Sequence, residues 1–379
     1  MIQSALRSLD AFCRKAGYRG WDPFDGLNSR LFKASPLSRS PFFRLAWIQF
    51  FKRSPFNFRR VFLVPKVPNA KGLALFASAY LSLGETEKAG GLLSLIKKLA
   101  PPGAQGTGWG YTFDWQARAF YVPAGTPNMV VTVFVANAFL DFHDATSDEE
   151  AMEFAVDAGK FILENLILFE ESEVLCFGYV PGESARVHNA NMLGAALLAR
   201  LYSYTTDPIF YEKSQKAMRY SVNALAPEGA WPYGELPYHR FIDNFHTGYN
   251  LVALKKWMEY TGDLVWERHL RKAYHYYLNT FWHMNGAPKY YYNSLYPIDI
   301  HCSAQGIITC LELAEHDDRS LPIERQIAQW AIDNMQDQEG YFYYQKTQWY
   351  TNRIPYMRWS QAWMFYALAR LHCQENRTH

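Results

Sequence analysis

The stretch Arg240-Phe-Ile-Asp-Asn-Phe-His-Thr-Gly-Tyr-Asn250 gathers a guanidinium, a carboxylate, an imidazole and a phenol directly ahead of an apolar run (Leu251, Val252, Leu254, Trp257, Met258). Such a run predicts a helix, with the polar cluster at its N-terminus. There the free N–H groups and the positive dipole end favour anionic ligands. His246 and Tyr249 are three apart and so share a helix face. Two chemistries use this set of groups. Glycoside hydrolysis needs two carboxyl groups flanking the scissile bond. Proton abstraction at C5 of a uronic acid needs a cation to neutralise the sugar carboxylate, and a His, Tyr or Glu to take the proton.

The elements that must position these residues follow from a repeat. Related segments open at Pro68, Pro127, His188, His246, His301 and Arg358, at steps of 59, 61, 58, 55 and 57 residues. Each anchor starts an apolar helix, which is followed by a polar turn (Thr205-Thr-Asp-Pro208, Thr261-Gly-Asp263) and a second helix with charges on its outer face. A Gly- and aromatic-rich hairpin segment, such as Gly108-Trp-Gly-Tyr-Thr-Phe113 or Gly340-Tyr-Phe-Tyr-Tyr344, then leads to the next anchor. Six helix pairs close into an all-α (α/α)6 toroid, with apolar first helices inside, charged second helices outside, and short β-hairpins at one mouth. An open superhelix is the alternative. The toroid is expected over residues 65–379. Residues 1–64 form an extension wrapping it: a short amphipathic helix over 4–16, then a turn-rich loop over 17–26.

Composition narrows the function. Net charge is +2, which gives no global sign of nucleic-acid binding. The 26 Tyr and 12 Trp suit surfaces that hold sugar rings, as well as interhelical contacts. Between Gly26 and Gly84 there is no Asp or Glu, while Phe42-Phe-Arg-Leu-Ala-Trp-Ile-Gln-Phe-Phe51 lies among basic residues. Segment 30–66 either packs on the main body with a solvated basic rim, or touches an anionic membrane peripherally; the first reading is preferred. The five cysteines are scattered without a C-x-x-C pair, the first twenty residues lack a signal-peptide core, and no apolar run reaches membrane-spanning length. The expected location is the cytoplasm, or the inner membrane face. No phosphate loop, nucleophile elbow or metal motif is present, so neither cofactor nor metal is expected.

In a toroid the anchors and hairpins share one mouth. It would gather Asp114, Trp115, Arg118, Glu183, Arg186, His188, Asn189, Tyr233, Glu235, Arg240, Asp243, His246, Tyr249, Tyr292, Asn293, Tyr296, Asp299, His301, Gln305, Arg353, Arg358 and Trp359. Three of the six anchors are histidines, from only 11 in 379 residues. Each could instead bond the neighbouring hairpin and have no part in chemistry.

The punctuation of aromatic hairpins and anchors resembles the six-hairpin carbohydrate-active superfamily. Arg240-x-x-Asp243-x-Phe-His246-Thr247-x-x-Asn250 is similar to a stretch in the C-terminal helical domain of glucuronyl C5-epimerases, with Phe245 where those carry a tyrosine and one extra residue after Arg240. The loop from Gly17 to Ser29 looks like that of bacterial proteins of capsule and exopolysaccharide assembly. The resemblance implies an enzyme of bacterial polysaccharide biosynthesis acting on an oligo- or polysaccharide, lipid-linked or free, by C5 proton transfer of epimerase or lyase type. Arg240 and Arg358 would hold the carboxylate, His246 and Tyr292 would be the proton-transfer pair, and Asp243 would orient His246. Tyr249 and Tyr296 are further substitutes for the missing tyrosine, and His301 and Glu235 are further catalytic candidates. His188, Asn189, Trp115, Asp114, Tyr233, Asp299 and Trp359 would line the substrate. The rivals are a hydrolase using Glu235 with Asp243 or Asp299, and a non-catalytic toroid that binds glycan or a partner. A terpene cyclase would share the toroid, but its Asp-rich pattern is missing.

Overall fold

A computed structural model describes residues 1–101, 106–116 and 121–377. Its helices in chain order are α1 (Ile2–Lys15), α2 (Arg30–Ala34), α3 (Pro41–Arg53), α4 (Ala70–Ser82), α5 (Thr86–Lys97), α6 (Met129–Thr146) and α7 (Glu149–Asn165). Then follow α8 (His188–Thr205), α9 (Pro208–Val222), α10 (Asn244–Thr261), α11 (Glu267–Thr280), α12 (Ile300–Glu312), α13 (Ser320–Met335) and α14 (Trp363–Arg377), the last entered through a π-helical turn at Met357–Ala362. The even-numbered helices α4 to α14 each pack on the next, and α14 packs back on α4, so the inner ring is closed. The chain is an (α/α)6 toroid.

Sequence sorts the two rings. In α6 and α12 apolar or small residues surround the helix, and nearly every residue of the first three turns is buried. In α11 the buried residues are confined to a stripe (Leu270, Ala273, Tyr274, Tyr277, Leu278), leaving the charges outward. Inner helices α4, α6 and α12 start at side-chain caps: Asn69 accepts from the Lys71 N–H, Asn128 from Val131 and Asp299 from His301, at 3.0–3.1 Å. Caps of this kind contribute about 1 kcal/mol each. Inner helices α6, α8 and α10 end on a left-handed residue (Ser147, Thr206, Gly262), which turns the chain sharply into the outer helix.

The ring draws on both chain ends. Five outer helices (α5, α7, α9, α11, α13) each follow an inner one, but α14 has no successor among the described residues. The amphipathic helix expected near the start is α1, and it packs against α14 and α13 through a buried face that includes Leu6, Leu9 and Cys13. Residues 17–66 then run as a strap across the mouth. Its inner residues (Trp21, Phe51, Val64) form a small cluster with Tyr344, Ile354 and Tyr356. Short antiparallel pairs decorate the same mouth: β1 (Trp115–Gln116) with β2 (Tyr121–Val122), and β3 (Ile167–Glu170) with β4 (Leu175–Phe177). A third sheet joins β5 (Ile298–Asp299), β6 (Gln345–Lys346) and β7 (Thr351–Asn352). No helix among the described residues is long and apolar enough to cross a membrane.

Candidate active site

The N-terminus of α10 carries the first pair. Asp243 sits at the helix boundary and points one carboxylate oxygen at His246 Nδ1, 2.8 Å away; its other oxygen is buried without a partner. A carboxylate accepts, so Nδ1 carries the proton and the lone pair of a neutral imidazole lies on Nε2. The His246 side chain keeps 20% of its surface exposed, so that nitrogen is reachable from the mouth. Tyr233, from the hairpin before α10, packs on the imidazole at 4.5 Å between ring centroids.

One turn further along α10, Tyr249 meets His301 of α12. The phenol oxygen is 2.5 Å from Nε2. Burial drives the tyrosine pKa well above its usual value, so the phenol stays protonated and donates. Burial, and then the nearby Lys71 and Arg358 cations, hold the His301 pKa well below the ordinary imidazole value. His301 is therefore neutral and accepts. Phe245 lies between the two imidazoles, at 4.1 Å from His246 and 4.8 Å from His301. Trp359 and Trp363 enclose His301, each at 4.6 Å. Asp299 caps α12 and accepts from Trp359 Nε1 at 3.0 Å and Gln345 Nε2 at 3.2 Å, which fixes the tryptophan that holds His301. Burial pushes the Asp299 carboxyl up to about 6.

Two cations back this cluster. Arg358 is buried and bound through two nitrogens to Asp22 of the strap, at 2.6 and 2.9 Å. Lys71 is buried at 3% exposure. Its amine lies over Phe134 at 4.3 Å, Trp363 at 5.1 Å and Tyr249 at 5.4 Å, with no ionic partner among the described residues. Burial, reinforced by Arg358, lowers its pKa well below the usual value. Beneath Phe134, Tyr249 and Trp363 the ring encloses a cavity of about 220 Å³, whose far end carries Asp141 and Arg200.

Asp243, His246, Tyr249, His301, Tyr233, Asp299 and Trp359 thus form one cluster, with Arg358 behind it. Other expected residues lie elsewhere. His188 turns outward to Ser221 of α9 at 3.1 Å, and burial lowers its pKa to about 4. The three anchor histidines therefore do not share one hollow, because an imidazole at the first position of α8 faces the outer helix. Glu235 pairs with Arg186 at 3.1 Å and with the Tyr220 hydroxyl on the outer rim. Asp114 is held by Lys33 at 2.9 Å and by the Ala124 N–H. Trp115 packs on Tyr179 at the β1 hairpin. Asn189 is buried, with its side-chain oxygen unpaired. Tyr292 and Tyr296 are exposed on the loop before β5. Arg240 is exposed and makes no ion pair among the described residues. Arg118 lies outside them.

Lys71 and Asp22 were not expected from sequence. A signal for Lys71 exists: it falls three residues after its anchor, as Tyr249 does after His246, so the closed ring brings the two together. Nothing in the sequence pairs Asp22 with Arg358, 336 residues away.

No family model matches the chain, and no curated protein sequence matches it either. Solved structures do. A sugar epimerase from a ruminal bacterium is 14% identical, with a TM-score of 0.62 over 81% of this chain and 86% of that one. A family 76 α-mannanase from Bacteroides thetaiotaomicron is 14% identical, with a TM-score of 0.60 over 82% and 88%. A Listeria innocua protein is 12% identical, with a TM-score of 0.65, and spans 99% of both chains, strap included. At these identities the likeness is one of fold: the chain has the six-hairpin (α/α)6 architecture.

Proposed function

We propose that the chain is a carbohydrate-active enzyme that moves a proton at a sugar carbon, in an epimerase- or lyase-type reaction at C5 of a uronic acid within a glycan. The observation that carries this reading is the pairing of Asp243–His246 with Tyr249–His301 on either side of Phe245. In this reading His246 Nε2 removes the C5 proton, and Asp243 stabilises the imidazolium that forms. Tyr249 turns its O–H from His301 Nε2 to the other face of the sugar and gives up that proton. The proton taken by His246 passes to solvent, and a solvent proton restores the phenol; expulsion of the 4-substituent instead gives cleavage. Tyr249 takes the part expected of Tyr292 because it is bonded to an imidazole, whereas Tyr292 is nearly half exposed. Arg240 holds the sugar carboxylate: it is unpaired among the described residues, while Arg358 is occupied by Asp22. The fold is shared by a sugar epimerase and by an α-mannanase, which supports a carbohydrate-active enzyme; the reaction type rests on the cluster alone. The glycan is lipid-linked in this reading, because the strap that borders the cluster also presents an apolar, basic face to the outside.

The test is solvent exchange. Incubation with uronic-acid glycans in deuterated water should introduce deuterium at C5. His246→Ala and Asp243→Asn should each slow that exchange by about 10² or more. A folded wild-type protein that exchanges no position of any uronan removes the proposal.

A second reading, glycoside hydrolysis, draws support from Glu183, a rim carboxyl that burial pushes up to about 7, where it could act as an acid. Release of reducing sugar by the wild type, lost in Glu183→Gln, would favour it.

A further inference from the structure

We propose that the outer face of the strap is a docking surface for an anionic lipid bilayer. Helix α3 has two unlike sides. Ile48 and Phe51 are buried beneath it, and Trp47 on the same side donates to the Gly26 carbonyl at 3.1 Å, so this side is spent on holding the strap to itself. The adjoining outer side carries Phe43, Ala46, Phe50 and Arg53, at helical spacing and all exposed, with Phe42 beside Phe43 at 72% exposure. The apolar surface continues past the helix. Phe50 stacks on Phe58 at 5.5 Å, and Phe58 meets Phe56, itself 70% exposed. The β6–β7 hairpin is fastened to the end of α3 by Tyr350 Oη donating to the Arg53 carbonyl at 2.7 Å and Asn352 Nδ2 to the Ser54 carbonyl at 3.0 Å. At its tip Trp349 stands 84% exposed.

The charges around this surface choose its partner. Arg30, Arg39, Arg53, Arg60 and Lys66 are exposed and make no ion pair among the described residues, and no acidic residue occurs between Gly26 and Gly84. Of the acids that meet the strap, Asp25 is used inward by Arg59 at 2.7 Å and Asp22 by Arg358, while Asp114 is taken by the half-exposed Lys33. A solvated protein face would intersperse acids among these cations. Protruding aromatic rings amid unpaired cations match the boundary between headgroups and acyl chains, where rings insert and cations meet lipid phosphates. The surface also adjoins the candidate site. Lys52 of α3 lies over Phe24 at 4.8 Å, and Phe24 packs on Trp359 at 5.5 Å, which in turn holds His301. A docked strap would keep the mouth beside the headgroups. That consequence rests on the proposed function; the docking itself does not.

Vesicle flotation tests it. The full chain should float with phosphatidylcholine vesicles containing phosphatidylglycerol at least about ten-fold better than with phosphatidylcholine alone, and added salt should weaken the binding. Tryptophan emission should shift to the blue on binding, and the shift should be lost in Trp349→Ser. Phe42→Ser/Phe56→Ser/Trp349→Ser and Arg39→Glu/Arg53→Glu change only exposed side chains, and each should lose flotation while keeping the wild-type melting temperature. His246→Ala, inactive in solvent exchange, should still float. Equal, weak flotation with both vesicle types would overturn the proposal, as would strap variants that float like the wild type. A wild type that ignores vesicles but is dimeric, with a monomeric Phe42/Phe56/Trp349 variant, would assign the surface to a second copy instead.

Discussion

Lys71 and Glu324 show how single buried groups should set the pH response of this protein. The Lys71 amine has three aromatic faces and no ion pair among the described residues, and its folded pKa lies well below the unfolded value near 10.5. Folding therefore opposes its protonation, so its contribution is favourable above about pH 10.5 and is lost as pH falls. Lys71→Met should melt higher than wild type at neutral pH, and the gap should shrink as pH approaches 10.5 in thermal scans. Glu324, buried on α13 with an unpaired oxygen, has the opposite sign. Burial pushes its carboxyl up to about 8, so its contribution is intact below about pH 4.5 and is lost as pH rises through 8. Glu324→Gln should match wild type in acid and melt higher at pH 8. Of the cluster itself, the shared face of His246 and Tyr249 was readable from their spacing, and Asp243 beside His246 was what the resemblance implied. That His188 would face Ser221 was not readable, because the helix period fixes relative faces but not which face meets the lumen.

At the scale of elements, the inner helices were legible since apolar character on all sides leaves a helix nowhere to go but between two layers. The outer helices were legible from their single stripe. The existence of α1 was legible as well, but its position in the ring was not, since an amphipathic pattern shows that a helix has an apolar face and does not name what covers it. Because α1 fills the outer place beside α14, Leu9→Ala should cost about 3 kcal/mol, within the range for a buried leucine and far above that for a loose tail. Chemical denaturation would measure it; a change below about 0.5 kcal/mol would mean that α1 is not part of the ring. The π-helical entry to α14, where Arg358 and Trp359 sit, had no sequence signal either. It widens the turn at the point where the strap's Asp22 reaches in.

For the whole molecule, the strap and the ring are tied by buried charge. Arg358 is bound twice by Asp22, and Arg59 is fully buried against Asp25 at 2.7 Å. Such pairs add little net stability over apolar packing, but removing one partner strands a buried charge at a cost of about 3–5 kcal/mol. Asp22→Ala should therefore destabilise the protein by roughly that amount. Limited proteolysis should then cut the strap at residues that the wild type protects. Unchanged unfolding and proteolysis would mean that the strap is held by its aromatics alone. The same tie bears on the proposed function, because Asp22 occupies a guanidinium that would otherwise face the cluster, whereas Arg240 makes no ion pair among the described residues.

Repeat length and helix period are local properties of the chain, and they were enough to give six helical repeats and to favour an (α/α)6 ring over an open superhelix; closure itself is seen where α14 packs on α4. Side-chain partners across repeats are not local. Tyr249 with His301, Lys71 among three rings, Arg358 with Asp22 and α1 against α14 each join residues that come together only when the circle closes. The tertiary structure alone decided which expected residues form a centre and which serve the wall, because that choice depends on how each helix is rotated about its own axis.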